Sequence, residues 1–181
     1  MASELINLKS IKELNDIHNK NVLHNHCVIF ISPDEDYLPE VGDAANAGWD
    51  IKYAGLTEQG TTNFYLLQTN VKYSIPTGYE LQLRLRSSTP KKYNFFLSNS
   101  VGTLDSNYRG EVLAGVFPVT TLLELPQPKT RFAQLILSKY YKPGLESKPI
   151  LHYYNIVNKE EYGNWENIMS TTRGKDGGIV R

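Results

Sequence analysis

Gly78-Tyr79-Glu80-Leu81-Gln82-Leu83-Arg84-Leu85-Arg86-Ser87-Ser88 decides how the rest of the chain is read. Successive side chains of a strand point to opposite faces, so Leu81, Leu83 and Leu85 share one face and Gln82, Arg84 and Arg86 the other. That is a half-buried strand. Residues 27–31, 64–67, 71–75, 95–97, 111–119 and 132–137 are further β-rich runs. Turn signals separate them: Ser32-Pro33-Asp34, Pro76-Thr77-Gly78, Thr89-Pro90, Asp105-Ser106-Asn107 and Pro126-Gln127-Pro128. Short strands at this spacing predict an all-β sandwich or barrel. A short amphipathic helix is expected ahead of them, over residues 3–19, where Leu5, Leu8, Ile11, Leu14 and Ile17 recur every third residue behind Ser3. The expected organisation is a helical extension over 1–26, a β core over 27–143, and a polar C-terminal segment with a Gly-rich arm over 144–181.

The 181 residues hold 19 Lys plus Arg against 19 Asp plus Glu, a formal net charge of zero at pH 7. Such a balance excludes a protein that coats nucleic acid or anionic membrane through bulk charge. With 40% apolar and 21% charged residues, the composition is that of a packed domain. The longest unbroken apolar run, residues 27–31, is too short to span a bilayer. Glu4 and Lys9 interrupt the place where a secretory leader would need apolar residues. The single cysteine, Cys27, cannot close an intrachain disulfide, so the expected compartment is intracellular, cytoplasm or nucleus.

Glycine, carboxylate, hydroxyl and arginine recur together at turns in five segments. They are Asn46-Ala47-Gly48-Trp49-Asp50-Ile51, Arg86-Ser87-Ser88, Asn99-Ser100-Val101-Gly102-Thr103-Leu104-Asp105-Ser106-Asn107-Tyr108-Arg109-Gly110-Glu111, Arg131-Phe132-Ala133-Gln134-Leu135, and Arg173-Gly174-Lys175-Asp176-Gly177-Gly178. Guanidinium and hydroxyl groups at a strand end can donate to phosphate oxygens. An ionised carboxylate within reach of a water can act as a base. The third segment reads as strand, tight turn, strand, a hairpin whose main chain could pair with a pyrimidine edge. Each segment alone also has a structural reading: Asp105 as a turn residue capping its own backbone, Asp50 and Arg131 as ion-pair residues, Arg86-Ser87-Ser88 as a surface turn.

Together and in this order the five segments resemble the motifs of the trimeric dUTPase family. The third is the most specific, since it fits the long pattern G-x-[IL]-D-x-x-Y-x-G. The resemblance implies a jelly-roll-like, distorted β-barrel that forms a homotrimer with sites at subunit interfaces. It implies hydrolysis of dUTP to dUMP and pyrophosphate, with Asp105 activating water at the α-phosphorus. Asn99, Gly102 and Leu104 would then belong to the uracil-reading hairpin, and Tyr108 would pack under the sugar and exclude a 2′-hydroxyl. Arg86, Ser87, Ser88 and Gln134 would meet the phosphates, and Arg173 the γ-phosphate. Mg²⁺ would arrive on the triphosphate, with Asp50 supporting it through water.

Departures are present. Leu85 and Ser88 stand where the family often has proline and glycine, Asp176 is an extra residue in the fifth motif, and Ile179 occupies its aromatic slot. Tyr153, Tyr154, Tyr162 or Trp165 could stand in for that aromatic. The related dCTP deaminases carry a glutamate ten residues after the turn aspartate, where this chain has Gly115. His24-Asn25-His26-Cys27 puts two histidines on one face of a strand and the thiol on the other, a poor zinc set. The alternative to an enzyme is a dUTPase-fold protein that binds a nucleotide or a protein partner, through residues 1–26 or 144–170. A packing helix serves equally well for 1–26.

Overall fold

The computed structural model describes residues 6–17, 27–43, 45–59, 63–120, 123–140 and 152–168. Strand β8 (Tyr79–Leu85) has the predicted alternation, with Leu81 and Leu83 buried and Gln82 and Arg84 on the other face. It lies inside a five-stranded antiparallel sheet ordered β10 (Gly102–Asp105), β8, β12 (Arg131–Lys139), β4 (Trp49–Lys52) and β3 (Glu40–Val41). A second antiparallel sheet runs β5 (Gly55–Gln59), β6 (Tyr65–Gln68), β11 (Leu113–Pro118), β9 (Phe95–Leu97). The third runs β1 (Ile6–Leu8), β13 (His152–Val157), β2 (Cys27–Ser32), β7 (Lys72–Ser74), with β1, β13 and β2 mutually parallel. The architecture is all-β and jelly-roll-like, as predicted.

Apolar side chains from all three sheets meet in one core, among them Phe30, Ile51, Tyr73, Leu81, Leu83, Phe95, Val116, Phe132 and Leu135. A register shift between Arg131 and Ala133 lets Phe132 and Ala133 face inward in succession, as a bulge permits. Strand β2 is buried on both faces, which explains its unbroken apolar run. Val28 and Phe30 enter the main core, while Cys27, Ile29 and Ile31 enter a second one with Leu8, Ile11, Leu14, Tyr154, Ile156 and Trp165.

That second core joins the two ends of the chain, and it differs from the expected N-terminal helix. Residues 6–8 form a strand that pairs with the edge of β13, and helix α1 (Ile11–Ile17) begins only after it. Ser10 starts the helix, its hydroxyl accepting from Glu13 N at 3.2 Å and its carbonyl from Leu14 N at 3.3 Å. A three-residue spacing drifts around a helix, and Ile6–Leu8 pair instead with β13 as a parallel edge strand. Helices α3 (Lys159–Gly163) and α4 (Trp165–Ile168) close over this core. The Glu161 carboxylate accepts from Ile11 N, at the start of α1, at 3.0 and 3.2 Å.

Two further local expectations change. Thr89-Pro90 opens helix α2 (Thr89–Tyr93), where proline's missing N–H costs nothing. The third segment forms no hairpin of its own, because β10 pairs with β8 while β11 pairs with β6 and β9. No helix among the described residues is long and apolar enough to cross a membrane.

Candidate active site

The third segment brings Asp105 to the last position of β10, half-buried, and then turns. Tyr108 N donates to Asp105 O at 3.1 Å, closing the turn. The Tyr73 hydroxyl donates to the same oxygen at 2.8 Å. Arg109, only 6% exposed, donates from Nη1 to Ser106 O and to Tyr108 O, both at 2.7 Å. Burial lowers the pKa of that guanidinium, and the charge interaction with Tyr73 opposes the shift. Tyr108 is 5% exposed and donates its hydroxyl to Glu111 O at 2.8 Å. The Glu111 carboxylate in turn accepts from Thr69 N and Asn70 N at 3.0 and 2.8 Å. A Cβ at Gly102 would lie 3.0 Å from Leu83 Cβ, a tight approach, and 3.5 Å from Asn99 Nδ2, an ordinary contact. Asn99 and Gly102 are thus neighbours, with Leu104 half-buried beside the core.

The other predicted residues gather elsewhere. Directly paired residues of antiparallel strands share a face, so the pairs Arg84↔Gln134 and Gln134↔Asp50 line up Arg84, Gln134 and Asp50 on the outer face of the five-stranded sheet. Asp50 Oδ1 lies 3.1 Å from Arg86 Nε, and its Oδ2 lies 3.5 Å from Arg131 Nη1. Gly48 lets Gln134 sit there: a Cβ at Gly48 would be 2.9 Å from Leu135 O and 3.0 Å from Gln134 Oε1. Ser87 and Ser88 form an exposed turn after β8, and Ser88 O accepts from Lys92 N inside α2. Beside them an open cavity of about 520 Å³ is lined by Arg86, Ser88, Arg131, Lys52, Lys92, Tyr93, Lys129, Thr130 and Glu40. Much of its positive charge is already partnered: Lys52 with Glu40, Lys129 with Asp36, Arg86 and Arg131 with Asp50. Lys129 and Asp36 shift each other's pKa in the usual sense, upward for the ammonium and downward for the carboxyl.

These two groups do not converge within one chain. Asp105 pairs with Glu80 and Gln134 with Arg84, two strands over and four residues along the same sheet. Strand spacing and rise put the two on the order of 15 Å apart. A water activated by Asp105 must lie about 3 Å from its carboxylate, whereas the backbones of Gln134 and Arg86 lie well away from it along the same sheet.

Arg173 and the rest of the fifth segment lie outside the described residues, as do His24 and His26. Sequence reasoning missed Tyr73 and the lysines of the cavity. Only Lys52 left a signal, since it alternates with Asp50 along Trp49-Asp50-Ile51-Lys52. Among the described residues no three His, Cys, Asp or Glu stand together to hold a metal. Each Asp50 oxygen faces a guanidinium group, Oδ1 that of Arg86 and Oδ2 that of Arg131. Carboxylate oxygen is the donor type that Mg²⁺ accepts, directly or through water.

Comparison with known proteins bears on the family and the fold. The family model described as dUTPase matches residues 34–164. The deoxyuridine 5′-triphosphate nucleotidohydrolase of Fusobacterium nucleatum is 30% identical over 143 residues, 77% of this chain and 86% of that protein. The Chlamydia felis protein of the same name is 36% identical over 146 residues, covering 77% and 87%. A Streptococcus mutans dUTPase structure superposes with a TM-score of 0.55 at 31% identity, over 61% of this chain and 91% of that one. A Staphylococcus aureus phage phi11 dUTPase, described with a structural Mg(II) ion, shares the fold at 20% identity and a TM-score of 0.52, over 67% and 95%. The chain belongs to the dUTPase family.

Proposed function

We propose that the protein hydrolyses dUTP to dUMP and pyrophosphate in a homotrimer whose sites form between chains. The observation that carries this reading is the separation of Asp105 from Gln134 and Arg86 on one sheet face, in a chain of this family. In this reading a second copy supplies one half. In that assembly one chain contributes Asp105 with the Asn99–Gly102–Leu104 stretch for uracil. Its neighbour contributes Arg86, Ser87, Ser88 and Gln134 for the phosphates, and a third lends Arg173 for the γ-phosphate.

Asp105 accepts a hydrogen bond from a water and takes its proton as the oxygen attacks the α-phosphorus in line. The bond from that phosphorus to the bridging oxygen breaks, and pyrophosphate leaves. Arg86 and Ser87 donate to oxygens on which charge accumulates, which is where fixed donors lower a barrier most. When bound, Mg²⁺ on the triphosphate would neutralise phosphate charge, and Asp50 would hold it through water. Asp50 also keeps Arg86 in place between substrates. Tyr108 packs under the sugar and selects deoxyribose by leaving no room for a 2′-hydroxyl.

Pyrophosphate release measured with dUTP, dCTP, dTTP and UTP tests the reading. Turnover of dUTP alone, in Mg²⁺, is the expected result. Absence of dUTP turnover at ample enzyme would overturn the assignment, and equal turnover of UTP would contradict the role of Tyr108.

A further inference from the structure

Tyr73 is fully buried on β7, yet its side chain reaches the turn that carries Asp105. Its hydroxyl donates to Asp105 O at 2.8 Å, while the turn's own bond, Tyr108 N to that oxygen, is 3.1 Å. Its ring lies against that of Tyr108, centroids 6.1 Å apart and tilted by 49°. The backbone of the same residue faces the other core. Tyr73 O accepts from Trp165 Nε1 at 3.2 Å, and its neighbour Lys72 donates from Nζ to Tyr162 O at 2.9 Å. One residue therefore ties the Asp105 turn to the unit built from both ends of the chain.

An aliphatic side chain would fill this core position without a polar atom. A phenol there must find a partner, because an unpaired buried hydroxyl is costly. The partner it finds is the backbone of Asp105, at the end of a four-residue strand on the edge of its sheet. Such an edge is paired on one side only, and strand ends open most easily. A second bond from a buried anchor removes that freedom at the carboxylate's own residue.

We propose that Tyr73 is a positioning residue for the dUTP-cleaving site: its hydroxyl fixes the backbone of Asp105, and so the height at which the carboxylate presents water. The inference rests on Asp105 being the base. Displacing a reacting group by about 1 Å can lose about a hundredfold in rate, so freeing one end of the turn is expected to lose at least about tenfold. The loss falls on kcat, since uracil and phosphates are bound by other residues.

The test compares Tyr73→Phe, p-aminophenylalanine incorporated at position 73, and Asp105→Asn, each as the full chain with its folded fraction measured at the assay temperature. The amino group keeps a donor on a ring of nearly the same size. Expected are a kcat lowered about tenfold in Tyr73→Phe with KM within about twofold, and recovery to within about threefold by the amino ring. The proposal is overturned if Tyr73→Phe keeps the wild-type kcat, if its loss merely follows the unfolded fraction, or if the amino ring restores nothing. A Tyr73→Phe chain that does not fold beside a folded amino variant assigns the hydroxyl to stability alone, and also overturns it. Full activity in Asp105→Asn would instead remove the base assignment; an inactive Asp105→Asn beside an unimpaired Tyr73→Phe removes only the role of Tyr73.

Discussion

Asp50 and Arg86 face each other at 3.1 Å between Oδ1 and Nε, Arg86 standing just past the end of strand β8. Their side chains are 20% and 34% exposed, so water screens the pair in part. Ion pairs of this kind contribute about 0–1 kcal/mol to stability. Its value lies in orientation, because a guanidinium fork binds phosphate only when its plane is set. Asp50→Asn should therefore change the urea midpoint little, while kcat/KM for dUTP falls by roughly tenfold or more as Arg86 loses its fixed direction. Steady-state kinetics beside urea unfolding checks both halves of that statement.

Gly48 is predicted to be the most sensitive glycine of the site. Alanine would push its Cβ to 2.9 Å from Leu135 O, a backbone atom of the central strand β12 that cannot swing away. Overpacking of this kind costs about 1–3 kcal/mol. Because Gln134 Oε1 lies only 3.0 Å from the same point, Gly48→Ala should also weaken dUTP turnover. Urea titration and kinetics on one preparation measure the two effects together.

The predicted strands were legible where one face meets the core and the other meets solvent, as on β8 with Leu81 and Leu83 against Gln82 and Arg84. Strand β2 was legible as a run, but its burial on both faces depends on Trp165 and Tyr154, far away in sequence. Strand β13 left little pattern, because its neighbours β1 and β2 come from the other end of the chain. The start of α1 is held in part by Glu161, about which no window around Ile11 could inform. In the site, Asp105, Gln134, Arg86 and Asp50 stood out through their motifs. Tyr73 did not, since in sequence it is one more aromatic in a β-rich run and its contact with Asp105 exists only after folding.

Trp165 is completely buried and bonded to Tyr73 O, so it anchors the terminal unit to the β core. Trp165→Ala should destabilise the protein by about 3–5 kcal/mol, the usual loss for a buried tryptophan. Chemical denaturation followed by circular dichroism will show it as a lower midpoint.

Cys27 is 1% exposed, and burial pushes its thiol from 9.0 up to about 11. Folding therefore favours the neutral thiol. The associated stability is complete below about pH 9 and is lost as pH rises through about 11. Tyr53 and Tyr154, also raised by burial, act in the same direction at higher pH. Iodoacetamide at pH 8 should leave the native thiol intact and label it in urea, and the denaturation midpoint should fall between pH 8 and pH 10.5.

The central claim is that Asp105 and Arg86 of one site come from different chains, and co-expression of two inactive variants tests it most directly. Asp105→Asn and Arg86→Ala are each expected to form an inactive oligomer. With the two variants expressed equally and assembled at random around a closed ring, an intact Asp105 from one variant stands beside an intact Arg86 from the other in roughly a quarter of all sites. Recovery of pyrophosphate release to about that fraction of wild type is the predicted result. Oligomers shown by mass to contain both variants, yet releasing no pyrophosphate from dUTP, would contradict it.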